Sequence, residues 1–347
     1  MANLNQKIVK KTKQILVDKK PVWANAYNRY ANNIKVNTKK YELNAKKFQV
    51  NAPLTVYSSI GKVMTEKSTT TYDLRYAGQS VGEIHVNNKG DVLLYVTDKQ
   101  TDYAKEHFDF TNICPLKGVD WHKDEAAVNF RKAYQAGSTK KVVIKSEEHR
   151  IENFLLKEFA KKTRAEGKKL CNIQPVRLGG KFFQLTTPLT ASDHEPKPAL
   201  INENSDKPGA NGGGIDILAR VKHSPRMSRI AIIELKDENA DIEPQKVVMT
   251  QALTYATFVA YLLRSESGKD WWNIFRNNNK TEKNVPQHLH LDVVTLMPEG
   301  TSEEGDLANI EIKELNAILH LYTLYYKRDK DGNPDSFSGT LTEAIMK

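Results

Sequence analysis

Gly214-Ile215-Asp216-Ile217-Leu218-Ala219-Arg220, followed by Arg229-Ile230-Ala231-Ile232-Ile233-Glu234-Leu235-Lys236, reads as two apolar β-strands. They are joined by the polar connection Val221 to Ser228, with Pro225 near its middle. Folded as an antiparallel hairpin about Pro225, the strands place opposite one another positions whose numbers add to 450, and Asp216 then faces Glu234. Directly opposed side chains have Cβ atoms roughly 4.5–5.5 Å apart, close enough for two carboxylates to share one divalent cation. Glu234 and Lys236 are two apart and point to one face of the sheet. Two acids and a lysine gathered at the ends of apolar strands cost stability unless a metal or a substrate charge compensates them.

Outward from this hairpin, the 347 residues suffice for two domains with ordinary cores. A composition 39% hydrophobic and 27% charged is that of a globular chain rather than a disordered one. No apolar run approaches the ~18 residues of a membrane span, and the polar segment Met1 to Lys7 has no signal-peptide character. Two cysteines, Cys114 and Cys171, are too few for a disulfide scaffold, so a cytoplasmic location is expected.

The formal net charge is +10, and residues 1–50 carry all of that excess, with 12 Lys/Arg against 2 Asp/Glu. Trp23, Tyr27, Tyr30, Tyr41 and Phe48 are interleaved with these lysines. That pattern suits contact with a phosphate backbone and base stacking; it suits equally a solvated helical face with aromatics packed inside.

A helical stripe covers residues 4–18, and Pro21 opens a second helix through about Asn32. Residues 33–100 read as β-rich, with turns at Ala77-Gly78-Gln79 and Asn87-Asn88-Lys89-Gly90. A helix is predicted from Lys123 to Ala136, and a domain boundary near 140. Beyond it come a helix from Ser146 to about Arg164, strands near 173–178 and 182–189, and a long polar loop, 191–213. The acidic hairpin follows, then a helix from about Ile242 to Arg264, a polar insertion from Ser265 to Gln287, a strand from Leu289 to Met297 and a final hairpin over Ile318 to Leu341. The expected fold is α/β of the α+β kind: a basic, β-rich domain over 1–140, then a mixed sheet flanked by helices over 141–347.

The order αβββαβ, with Gly214-Ile215-Asp216 on one strand and Glu234-Leu235-Lys236 on the next, resembles the PD-(D/E)XK, or restriction-endonuclease-like, nuclease superfamily. Gln251-Ala252-Leu253-Thr254-Tyr255 is similar to the Gln-x-x-x-Tyr element of its RecB-like branch, whose four-residue spacing puts both side chains on one helix face. An acid on the first core helix completes the pattern; Glu152 and Glu148 both qualify, and Glu152 is preferred. The resemblance covers about residues 142–300, with Ile215 where the superfamily often has Pro.

The resemblance implies hydrolysis of phosphodiester bonds, in DNA rather than RNA. Asp216 and Glu234, with the first-helix glutamate, would hold Mg²⁺ or Mn²⁺, hard cations that prefer oxygen ligands and keep several waters. Lys236 would orient water or neutralise phosphate charge, and Gln251 and Tyr255 would position substrate. The alternative is a catalytically inactive nucleic-acid-binding or assembly protein on the same fold, with the acids and Lys236 as a structural ion pair.

Other patterns carry less. His288-Leu289-His290-Leu291-Asp292 puts two imidazoles and a carboxylate on one strand face without further ligands at zinc spacing. Asp329 to Asp335 reads as a hairpin turn rather than a calcium loop, and Gly212-Gly213-Gly214 lacks the context of a phosphate loop. Trp271, Trp272 and Phe275 could stack bases or pack in the core.

Overall fold

The computed structural model describes residues 4–58, 69–96, 118–137, 146–161, 170, 172–191, 195–199, 213–238, 244–276, 284–301 and 305–345. Both cysteines, Gly212, Ile242 and most of the loop expected over 191–213 lie outside them. The quoted strands form an antiparallel pair, β11 (Ile217–Ser224) and β12 (Met227–Leu235), in the expected register: Ile217 faces Ile233 and Val221 faces Arg229. The connection is tighter than the sequence suggested. Strand structure runs on to Ser224, leaving a turn at Pro225-Arg226, with a shift of register between Lys222 and Ser224.

The chain divides into two compact units, and the division does not fall at 140. One comprises residues 1–32, 154–176 and 184–347; the other comprises 33–153 and 177–183. The basic N-terminal helix therefore belongs with the acidic hairpin, because its apolar stripe is buried there. Adjacency in sequence did not decide the partner.

The first unit is built on a mixed sheet. Its strands are β6 (Ile173–Pro175), β11, β12, β13 (Leu289–Pro298), β14 (Ile310–Ile312), β15 (Ala317–Arg328) and β16 (Pro334–Ser338). The order is β14-β15-β13-β12-β11-β6, with β16 on β15, and β9 (Leu189–Thr190) pairs antiparallel with β10 (Lys197–Pro198) in a separate two-stranded sheet. Strands β12, β13 and β15 run parallel, while β11 is antiparallel to β12 and β6 to β11. Asp329 to Asn333 form the turn between β15 and β16, as the hairpin reading required.

Helix α5 (Gln245–Leu263; α1 to α4 are given below) crosses one face of this sheet, where Val248 packs with Met297 and Tyr325. It is apolar nearly all round, as a helix buried between layers must be. It is long and apolar enough to cross a membrane by composition alone, yet 83% of that stretch is packed inside the fold. Its threonines satisfy their hydroxyls locally: Thr254 donates to the Thr250 carbonyl at 2.7 Å and Thr257 to that of Leu253 at 2.7 Å.

Helix α1 (Leu4–Asp18) packs along α5, and the helix that follows it, α2 (Lys20–Asn44), runs twelve residues beyond the expected end at Asn32. The N-terminal aromatics are interior groups. Trp23 and Tyr27 meet Phe258 edge-on, with ring centroids 5.7 and 4.9 Å apart, and Tyr27 lies 5.8 Å from Trp271. Tyr30, Tyr41 and Phe48 are buried too. Of the two readings of this set, burial matches the solvated face with aromatics packed inside: the rings supply the core, while Lys7, Lys10, Lys19 and Lys20 remain exposed. Trp271, Trp272 and Phe275 are likewise buried, on a short helix, α6 (Gly268–Phe275), that interrupts the polar insertion.

The second unit holds a sheet of β1 (Leu54–Ser58), β2 (Thr70–Tyr76), β3 (Gln79–Val86), β4 (Val92–Val96), β5 (Val119–Asp120), β7 (Arg177–Leu178) and β8 (Lys181–Phe183), ordered β5-β4-β3-β2-β1-β8-β7. The β2–β3 hairpin turns at Ala77 and Gly78, both at positive φ (46° and 81°), the backbone a two-residue primed turn demands. Helix α3 (Glu125–Gly137) adds Phe130 and Tyr134 to this core. The helix expected from Ser146 is α4 (Glu147–Ala160), and the division between the units falls within it. A last helix, α7 (Thr340–Ile345), closes the first unit's chain.

Candidate active site

Asp216 lies one residue before β11, where the backbone ladder with β12 has ended. Its carboxylate takes over the next hydrogen bond: Oδ2 accepts from the Leu235 N–H at 2.8 Å. The segment before it is held by an isolated antiparallel bridge between Gly214 and Thr186 and by the Ile215 N–H donating to Leu185 O at 3.0 Å. Glu234, adjoining Leu235, is 3% exposed and pairs in register with Thr295 of β13. Lys236 extends the parallel ladder by one bond, its N–H donating to Leu296 O at 3.0 Å, so the alternation that orients Glu234 carries on to Lys236.

The α5 residues expected to reach substrate occupy the face that covers these acids. Burial raises the Tyr255 phenol above its ordinary range, and the charges of Glu234 and Asp216 push it further; hydrogen bonds from the Ala191 backbone and the Thr190 side chain oppose them. Both carboxylates are therefore within electrostatic reach of one phenol. Gln251, one helical turn earlier on the same face, is buried, and its Oε1 has no hydrogen-bond partner among the described residues. Thr295 Oγ1, beside Glu234, is also buried without one.

Glu152 is placed in the second unit, buried within electrostatic reach of Tyr57 and Arg75. Arg75 donates from Nε to Asp73 at 2.6 Å and lies 4.1 Å from the Tyr57 ring centroid. Glu148 is only half-buried. Glu152 thus has a local charge partner that sequence order did not reveal.

Among the described residues no group of three or more His, Cys, Asp or Glu side chains is arranged to hold a metal ion. Asp216 and Glu234 offer carboxylate oxygens, and the buried Gln251 Oε1 is an acceptor of the same hard class. That donor set fits Mg²⁺ or Mn²⁺, which retain waters in place of a full protein cage, and does not fit a structural zinc.

Sequence reasoning missed what surrounds Tyr255. Gly213 approaches so closely that an added Cβ would lie 2.1 Å from the Tyr255 hydroxyl. Gly213→Ala is expected to force the ring or the segment before Asp216 to move, destabilising the fold by about 1–3 kcal/mol. Urea denaturation checks this, and Gly213→Ala combined with Tyr255→Phe should not fully restore stability, because the ring carbon Cζ would still lie 2.5 Å from the new methyl.

The opposite face of the same sheet carries a second polar group. Asp292, fully buried, accepts from Arg229 at 3.2 Å and pairs with His223 Nε2 at 2.6 Å. Arg229 also reaches the Tyr322 hydroxyl at 3.4 Å. Beside them His290 Nδ1 and His320 Nε2 face each other at 2.8 Å. His290 and Asp292 were visible on one strand; the others come from β11, β12 and β15, and only the sheet order assembles them.

Burial, then Arg229, depresses His320 to about 4, below its ordinary 6.5, with Asp292 opposing. An imidazole kept neutral in the fold but protonated when unfolded contributes stability above pH 6.5, and that contribution is lost as pH falls towards 4. Melting temperatures measured without added metal should decline across that window, and His320→Gln should flatten the decline.

No protein-family model, curated protein or solved structure matches this chain.

Proposed function

We propose that the protein is a metal-dependent nuclease that hydrolyses phosphodiester bonds, with DNA as the preferred substrate, on a restriction-endonuclease-like core within the first unit. The observation that carries this reading is the convergence of half-buried Asp216 and buried Glu234 on the buried Tyr255, from three different elements. Two carboxylates brought this close repel one another, and a cation bound between them offsets that cost. The antiparallel run β6, β11, β12 with β13 parallel to β12 also suits that core.

In this reading Asp216 and Glu234 hold Mg²⁺ or Mn²⁺, which when bound supplies an acidified water and charge neutralisation at the phosphate. The Leu235 N–H fixes the Asp216 carboxylate so that no rearrangement is needed on binding. Lys236, on the same sheet face as Glu234 by strand alternation, would orient water or offset developing phosphate charge. Gln251 presents an acceptor that no described residue engages, and Tyr255 braces the 190–191 and 213 segments against the acids. The exposed lysines of α1 and α2 supply attraction for a phosphate backbone.

The test is cleavage of plasmid and linear single-stranded DNA with Mg²⁺ or Mn²⁺ by the wild type, Asp216→Ala and Lys236→Ala. Cleavage confined to the wild type supports the reading, and equal activity in all three overturns it. Salt-sensitive DNA binding without turnover in the wild type would favour the inactive, nucleic-acid-binding alternative instead.

A further inference from the structure

The paired histidines on the far face of the first unit's sheet have no place in the nuclease reading. His290 is on β13 and His320 on the adjacent parallel strand β15, in the row next to Asp292. Their rings meet end to end in nearly one plane, with centroids 5.1 Å apart and an interplanar angle of 16°, and Nδ1 of one meets Nε2 of the other at 2.8 Å. Two neutral imidazoles in this position share one proton in a hydrogen bond. The same two nitrogens could instead share a cation. Zinc binds imidazole nitrogen at about 2.0–2.1 Å, so a tetrahedral pair of ligand nitrogens stands about 3.3 Å apart. The observed spacing is within about half an ångström of that, and a shared ion would also tilt each end-on ring by roughly 35° from the nitrogen–nitrogen line, movements open to two half-buried side chains.

We infer that His290 Nδ1 and His320 Nε2 form a second, independent site for an imidazole-seeking divalent transition ion such as Zn²⁺, Ni²⁺ or Cu²⁺. Imidazole selects these ions over Mg²⁺. The surroundings are mixed in charge and balanced. Asp292 faces the pair with a carboxylate; Arg229 opposes it and is itself tied to Asp292 and Tyr322. His223 is engaged on Asp292, and His288, in electrostatic reach of His290, bonds Asn316 Oδ1 through Nδ1 at 2.9 Å. Glu311 on β14 pairs with Ile318, two residues from His320, and is exposed. Two protein nitrogens make an exchangeable site, with the remaining positions open to water or a ligand. A closed structural centre would need two more protein donors, and no such group is arranged among the described residues.

Zinc binding to the full chain is measured by isothermal titration calorimetry in the presence of excess Mg²⁺, with ring ¹⁵N resonances followed on the wild-type protein. One Zn²⁺ per chain is expected, moving the His290 and His320 ring nitrogens. His290→Asn and His320→Asn should each weaken binding at least tenfold, while Asp216→Asn leaves it unchanged. The last variant separates this site from the nuclease reading. Unmoved ring resonances in the wild type, or wild-type affinity in both histidine variants, would overturn the inference. The resonances decide the matter even where a variant folds poorly.

Discussion

Glu234→Gln is expected to lower metal-dependent DNA cleavage by roughly 10²–10³-fold or more, through a change that preserves the shape of the side chain. The loss follows from where Glu234 sits. Its carboxylate is 3% exposed, at the end of an apolar strand, with the Asp216 charge within reach of the same phenol. Gln keeps the volume and one carbonyl oxygen of Glu but lacks the negative charge that a hard divalent cation requires of its ligand, so activity falls without truncation of the side chain. Lys236→Met should follow Glu234→Gln in activity, whereas Tyr255→Phe, whose hydroxyl is occupied by Ala191 and Thr190, should cost far less. Cleavage assays paired with calorimetric melting separate these outcomes. Preserved cleavage in Glu234→Gln would remove the carboxylate pair from the chemistry.

Asp292→Ala carries the largest expected loss of stability, about 3–5 kcal/mol. Asp292 is fully buried and satisfies two partners at once, His223 at 2.6 Å and Arg229 at 3.2 Å, the latter with only 14% of its side chain exposed. Truncation leaves the Arg229 guanidinium in the sheet face with no counter-charge and leaves a cavity besides. Arg229→Met in the Asp292→Ala background should recover a substantial part of the loss, because the destabilisation comes mainly from the stranded cation. Urea midpoints of the two single variants and the double variant measure this coupling. Additive losses would mean that the network contributes by packing alone.

Local pattern carried the reading of the sheet a long way. Alternation and the Pro225 turn were enough to place Ile217 against Ile233, and with it Asp216 near Glu234, because in a hairpin the position and length of the turn set the register of the strands it joins. The four-residue spacing of Gln251 and Tyr255 put them on one face of α5 for the same kind of reason. Elsewhere local pattern was ambiguous. An aromatic among lysines looks alike whether it stacks on a base or on Phe258, and burial alone distinguishes the two. Glu152 had the right spacing on its helix, but its neighbour Arg75 comes from a strand some eighty residues earlier.

What the sequence determined by itself is therefore most of the larger elements, the hairpin register and the chemical character of the acids at its end. These depend on periodicities of two and 3.6 residues, which short-range sterics and hydrogen bonding dictate. Tertiary structure alone decided that helix α1 packs on α5, that Gly213 abuts Tyr255, and that His223, Arg229, Asp292, His290 and His320 share a face. Those meetings join residues from dozens to hundreds of positions apart, and they are set by which apolar surfaces bury one another, a global sum that no local window contains.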